Sequence, residues 1–115
     1  MAPTVDALIP RLGFGTALVP DESLPLLLRV AIAQGVRLFD TAEGYGSETA
    51  VGRAVRLSVL PRSAFWIVSK TKRSPMEAIR GTLRALGTGY IDVSFPVLVI
   101  HLLLHCHVDM VLRLT

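Results

Sequence analysis

Short apolar runs alternate with segments of helical period along most of this chain, and that alternation constrains its fold more than any other feature. Arg11 to Val19 reads as a short strand or hairpin ending at Pro20. Ser23 is a candidate helix cap with Pro25 in the first turn, and Leu24, Leu27, Leu28, Ala31 and Ile32 then recur at helical spacing up to Gly35. Val36, Leu38 and Phe39 form a nearly continuous apolar run, as expected of a parallel strand buried on both faces. Ser47 is the expected N-cap of a second helix carrying Ala50, Val51, Ala54 and Val55 on one face, and Phe65 to Val68 is a third strand. Ser74-Pro75 with Glu77 has the pattern of a capping box, Met76, Ile79, Leu83 and Leu86 form the predicted buried stripe, and Gly87 ends the helix. A fourth strand is expected to start at Tyr90–Val93. Strand–helix alternation at this spacing predicts a parallel α/β sheet with right-handed crossovers.

At 115 residues the chain has the length of one domain, and 51% hydrophobic against 18% charged residues excludes general disorder. The net charge of +3 is scattered; the densest basic run, Lys70, Lys72 and Arg73, is too short to argue for nucleic acid. One cysteine, Cys106, forms no internal disulfide, which points to a reducing, cytoplasmic setting. The first residues lack the basic and apolar regions of a secretory signal. The longest apolar stretch, Val97 to Leu104, is far short of the ~20 residues that a membrane-spanning helix needs, so no membrane role is expected.

Composition changes near Val93. The last residues hold all three histidines and the only cysteine, with Asp109 and Arg113 as their only charges. The chain is therefore expected to divide into 1–93 and an apolar tail, 94–115. His101, His105, Cys106 and His107 include one i, i+4 histidine pair, but with no carboxylate beyond Asp109 no metal site is predicted.

Two motifs bear on chemistry. Gly13-Phe-Gly15-Thr lacks the third glycine of a dinucleotide fingerprint, and Pro20 precedes any helix, so it reads as a glycine-rich strand end. The stretch from Gly35 to Gly52 says more. An apolar strand delivers Asp40 to its C-terminal end, Tyr45 follows one loop later, and Lys70 leaves the next strand at the same edge. In parallel α/β sheets chemistry collects at that edge. Taken singly, Asp40 reads as a turn residue, Tyr45 as a packed ring with its hydroxyl in water, and Lys70 as a solvated strand end.

Together, Gly35-Val-Arg-Leu-Phe-Asp40-Thr-Ala, Glu48 and Val51-Gly52 resemble the N-terminal signature of the aldo-keto reductases, departing only at Val36, where that family usually has Phe or Tyr. The similarity extends over about residues 8 to 93 and includes LGFGTA, the IVSK strand end and LRALGTGYID. It implies the N-terminal half of a (β/α)8 TIM barrel, about four β/α units, and an NADP(H)-dependent oxidoreductase reducing small aldehyde or ketone carbonyls. It also implies roles: Tyr45 as general acid, Lys70 held by Asp40 beside it, and Gly15, Thr16 and Asp40 along the cofactor. An ordinary tyrosine, with a pKa of about 10, needs such a neighbouring cation to give up its proton near neutrality.

The family's catalytic histidine usually stands seven residues after the tyrosine of the YID segment, where this chain has Val97; the candidate histidine is His101, four residues further on. Ala17 replaces an aromatic residue common in the family and leaves that wall of a pocket small. A barrel of this kind needs about 250 residues. From that length the 115-residue chain is expected to be inactive alone, a non-catalytic fragment or interaction module being the alternative, and to self-associate through exposed sheet edges. Val93-Ser94 can be encoded by GTG-AGT, which also reads as a splice donor, so the tail is expected to be translated intron or the product of a frame error.

Overall fold

The computed structural model describes residues 9–72 and 75–96. Four parallel strands pair in sequence order, β1 (Gly13–Gly15), β2 (Leu38–Asp40), β3 (Trp66–Thr71) and β4 (Val93–Pro96). Three helices connect them: α1 (Leu24–Ala33), α2 (Glu48–Leu57) and α3 (Pro75–Leu86). β1 and β4 are the outer strands among the described residues, the two edges that the self-association expectation invokes.

The sheet has two unlike faces. Phe39, Ile67, Ser69 and Thr71 are buried, whereas Leu38, Asp40, Trp66, Val68 and Lys70 on the alternate face are only half-buried. The period of two along a strand explains the split: one set packs on the helices and the other faces what is the interior of a closed barrel. Burial on both faces was expected of the strand at Val36–Phe39; among the described residues β2 is covered fully on one. The core joins Leu24, Leu28 and Ala31 of α1, Val51 and Val55 of α2 and Leu86 of α3 to Phe39, Phe65 and Ile67. Each large side chain buried there contributes about 1.5–3 kcal/mol. Phe39 lies at the centre, 6.4 Å from the Phe14 ring and 6.2 Å from the Phe65 ring.

Several local expectations are corrected. β1 has only three residues; the chain turns at once, and Leu18 takes a positive φ of 60°. Ser23 and Ser47 precede their helices without capping them through their side chains. Leu27 is exposed, because α1 meets the core through Leu24, Leu28 and Ala31. On α3 the buried row is Ala78, Thr82 and Leu86; Met76 is 63% exposed, and Ile79 and Leu83 are half-buried. The row is set by the close crossing of α2, where a Cβ on Gly52 would overlap the Leu86 carbonyl. Small residues therefore face that contact, and the bulkier stripe is rotated away. The cap at Ser74 lies outside the described residues. The positive φ of Gly35 (94°) and Gly87 (63°) ends α1 and α3 as the sequence predicts.

The fourth strand starts at Val93 rather than Tyr90. It crosses the expected Val93/Ser94 boundary: Ser94 is in register with Ser69, Phe95 with Lys70 and Pro96 with Thr71.

Candidate active site

Asp40 is the last residue of β2, and Lys70 lies near the end of β3, two residues past Val68, its neighbour's register partner. Alternation puts both side chains on the inner face at the C-terminal edge. There the Lys70 ammonium donates to Asp40 Oδ1, and also to the Thr41 carbonyl at 3.2 Å. Lys70 is 17% exposed, but Asp40 is 40% exposed, so its carboxylate is not consumed by the pair. A single 3₁₀ turn, Glu43–Tyr45, follows β2 and ends at Gly46 in the left-handed region (φ 72°). It brings the Tyr45 ring to 5.2 Å from Lys70 Nζ. Tyr45 is 40% exposed, and among the described residues its hydroxyl has no hydrogen-bond partner. Lys72 N–H donates to Glu43 Oε2 at 3.1 Å, fastening this turn to the end of β3.

The structure thus brings together Asp40, Tyr45 and Lys70. Gly15 is level with Asp40 on the neighbouring strand, and a Cβ there would meet nothing within 4 Å, so the sheet is open at that point. Thr16 is placed at the same edge, but its side chain turns inward. Its backbone N–H donates to the Asp40 carbonyl at 3.0 Å, and its hydroxyl, 2.9 Å from the same oxygen, is buried. Ala17 is exposed beside it. His101, and with it His105, Cys106 and His107, lies outside the described residues.

The sequence reading missed the polar layer under this edge. Thr16 and Thr41 hydroxyls both lie 2.7 Å from the Ser47 hydroxyl. Glu48, buried beside Ser47, accepts from Ser69 at 2.7 Å and from Thr82 at 2.8 Å through the same oxygen. Its only sequence signal was the acid position of the signature motif, which does not reveal what the acid binds.

An open parallel sheet of four strands, with an acid, a lysine and a tyrosine at its C-terminal edge, defines an α/β architecture of the barrel type. Comparison with known proteins narrows the class. The model of the aldo/keto reductase family matches residues 11–101. An aldo-keto reductase of Mycobacterium avium (strain 104) is 39% identical over 94 residues, covering 76% of this chain and 33% of that protein. One from Mycolicibacterium paratuberculosis is 36% identical over 91 residues, covering 74% and 32%. Among solved structures, an aldo-keto reductase from a Medee basin deep-sea metagenome library superposes with a TM-score of 0.70 at 32% identity, over 75% of this chain and 34% of that one. The aldose reductase of Schistosoma japonicum gives 0.69 at 27% identity, over 75% and 32%. The chain belongs to the aldo/keto reductase family, and its described residues form the N-terminal strands and helices of that family's TIM barrel. It spans about a third of the length of the relatives it matches.

Proposed function

We propose that this chain carries the proton-donating half of a site that reduces aldehyde or ketone carbonyls with NADPH. The observation that supports it is the Lys70 ammonium shared between the Asp40 carboxylate and the face of Tyr45 at the C-terminal edge of the sheet. In this reading Tyr45 gives its hydroxyl proton to the carbonyl oxygen. Lys70 stabilises the negative charge left on the phenol, and Asp40 holds Lys70 in place. NADPH, when bound, supplies the hydride. The residues present fit its reactive end: Gly15 leaves open space, and the exposed side of Asp40 offers an acceptor to a hydroxyl group. Thr16 contributes its backbone position and not its committed hydroxyl.

Hydride transfer also demands a donor and acceptor held in near-attack geometry, to which anchoring of the whole cofactor contributes. The 115-residue chain alone is therefore proposed to bind NADPH weakly and to turn over no carbonyl substrate. Fluorescence titration with NADPH and an assay on a simple aldehyde test this. Micromolar affinity, with turnover abolished by Tyr45→Phe, would keep the chemistry and overturn the inactivity. Turnover that survives Tyr45→Phe would overturn the assigned acid.

A further inference from the structure

The buried layer beneath the site has a definite direction. A hydroxyl carries one proton. Thr16 donates its proton to the Asp40 carbonyl, so the proton between Thr16 and Ser47 belongs to Ser47, and the one between Ser47 and Thr41 belongs to Thr41. The path runs from Thr41 through Ser47 and Thr16 back to the carbonyl of Asp40, the residue next to Thr41. Every member donates once, and the ring closes across β1, β2 and the start of α2. The next residue, Glu48, takes hydroxyl protons from Ser69 of β3 and Thr82 of α3.

Two of the anchored groups are chain neighbours of site residues. Thr41 follows Asp40 and Ser69 precedes Lys70. Because faces alternate along a strand, Thr41 and Ser69 point to the helix side while Asp40 and Lys70 point to the inner side. Gripping Thr41 and Ser69 from behind therefore fixes the peptides that carry Asp40 and Lys70 in front. Ser47 grips β2 and Glu48 grips β3, and the two are consecutive at the start of one helix. The spacing of the two grips is thus set by covalent geometry.

We propose that Ser47 and Glu48 are a positioning pair for this site: they hold the ends of β2 and β3 at the separation at which Lys70 meets Asp40. Neither touches the reacting groups. The proposal rests on the reading of Asp40 and Lys70 as a working pair, and its test separates the two.

The chain has only two lysines, Lys70 and Lys72. In the full chain labelled with 15Nζ-lysine, the ammonium resonances report directly on the pair through their exchange with water. Asp40→Asn is the reference variant and should expose Lys70 to rapid exchange. Ser47→Ala and Glu48→Leu should each raise Lys70 exchange by about fivefold, the weight of one hydrogen bond. Glu48→Gln keeps an acceptor for Ser69 and Thr82 and should restore most of the protection. Arg62→Ala, which loosens the opposite end of the sheet, should leave Lys70 as it is in the unsubstituted chain.

If Asp40→Asn leaves Lys70 exchange unchanged, the functional reading fails. If it changes Lys70 but Ser47→Ala and Glu48→Leu do not, the positioning proposal fails and the functional reading stands. Equal effects from Arg62→Ala would reduce Ser47 and Glu48 to general stabilisers and also overturn the proposal. Should Glu48→Leu not fold, Ser47→Ala, which deletes a single oxygen atom, decides alone.

Discussion

The two ends of this sheet each hold an ion pair, and the pairs are built differently. At the N-terminal end Arg62 donates to Asp92 Oδ2 at 2.8 Å, to the carbonyls of Phe65 and Tyr90 at 2.8 and 3.0 Å, and to the Thr88 hydroxyl at 2.9 Å. Its guanidinium lies 4.0 Å from the centre of the Tyr90 ring, and Asp92 Oδ2 also accepts from the Ile67 N–H at 2.9 Å. Both side chains are mostly buried, at 18% and 14% exposure. At the C-terminal end Asp40 is far more open, and Tyr45 keeps its hydroxyl unbound among the described residues. Arg62 uses four of its five N–H donors on the segments that lead into β3 and β4. Lys70 and Asp40 retain unused capacity next to open space. A saturated ion pair stabilises, and an unsaturated one at a strand's C-terminal edge is equipped to act on something else.

Stability should therefore fall steeply for changes at or near the saturated end and hardly at all for changes at the open end. The largest loss is expected from Gly52→Ala. The added Cβ would meet the Leu86 backbone, which cannot rotate away, so α2 and α3 must separate. Overpacking of this kind costs about 1–3 kcal/mol, and more where backbone is struck. Chemical denaturation of the variant should show a strongly lowered midpoint or no cooperative transition. A midpoint like that of the unsubstituted chain would mean that the helices do not cross so closely.

Arg62→Ala comes next. It leaves Asp92 partly buried without its cation and removes the donor of the part-buried Phe65 carbonyl, while the exposed Tyr90 carbonyl passes to water. Truncating one partner of a buried pair costs about 3–5 kcal/mol, and the remaining exposure of Arg62 and Asp92 reduces this to about 2–3 kcal/mol. Thermal unfolding checks it. A change below about 0.5 kcal/mol, the range of an ordinary surface substitution, would erase the contrast between the two ends.

The sequence made one end more legible than the other. Asp40 and Lys70 could be placed at one sheet edge because each ends an apolar run, but singly they and Tyr45 read as a turn residue, a solvated strand end and a packed ring, and only the combined signature motif pointed to a site. The Arg62 hub was not legible. Arg62 sits in a connection after Leu60-Pro61, and apart from the Phe65 carbonyl its partners stand 26 to 30 residues away, with nothing local to mark them. Ser47 was misread for a related reason. A serine before a helix resembles a cap, but buried between Thr16 and Thr41 it is worth more as a link in a hydroxyl ring. The position of Met76 was misjudged because Ala78 and Thr82, small enough for the crossing with Gly52, carry little weight in an apolar stripe. The tightest contact on α3 was thus the least visible in its sequence.

Lys70→Met probes the open end. The methionine keeps the stem of the lysine and removes the charge, leaving Asp40 able to reach solvent. Partly exposed ion pairs contribute about 0–1 kcal/mol, so unfolding should shift by less than that. A loss comparable to that of Arg62→Ala would show that Lys70 is a structural cation like Arg62, and the distinction between the two ends would fail.

Tyr45→Phe should have the smallest effect on stability. The substitution removes one oxygen atom that has no partner among the described residues and that belongs to a ring 40% exposed. No buried group is orphaned, and the ring can still rest against Lys70. Surface changes of this type fall within about 0.5 kcal/mol of zero. The same oxygen is the one that the proposed chemistry needs, so the position combines negligible structural weight with the largest expected chemical weight. Denaturant unfolding of Tyr45→Phe beside Tyr90→Phe settles whether that separation holds. If Tyr45→Phe destabilises the chain by more than about 1 kcal/mol, its hydroxyl is bound within the fold, and it is not free to meet a substrate.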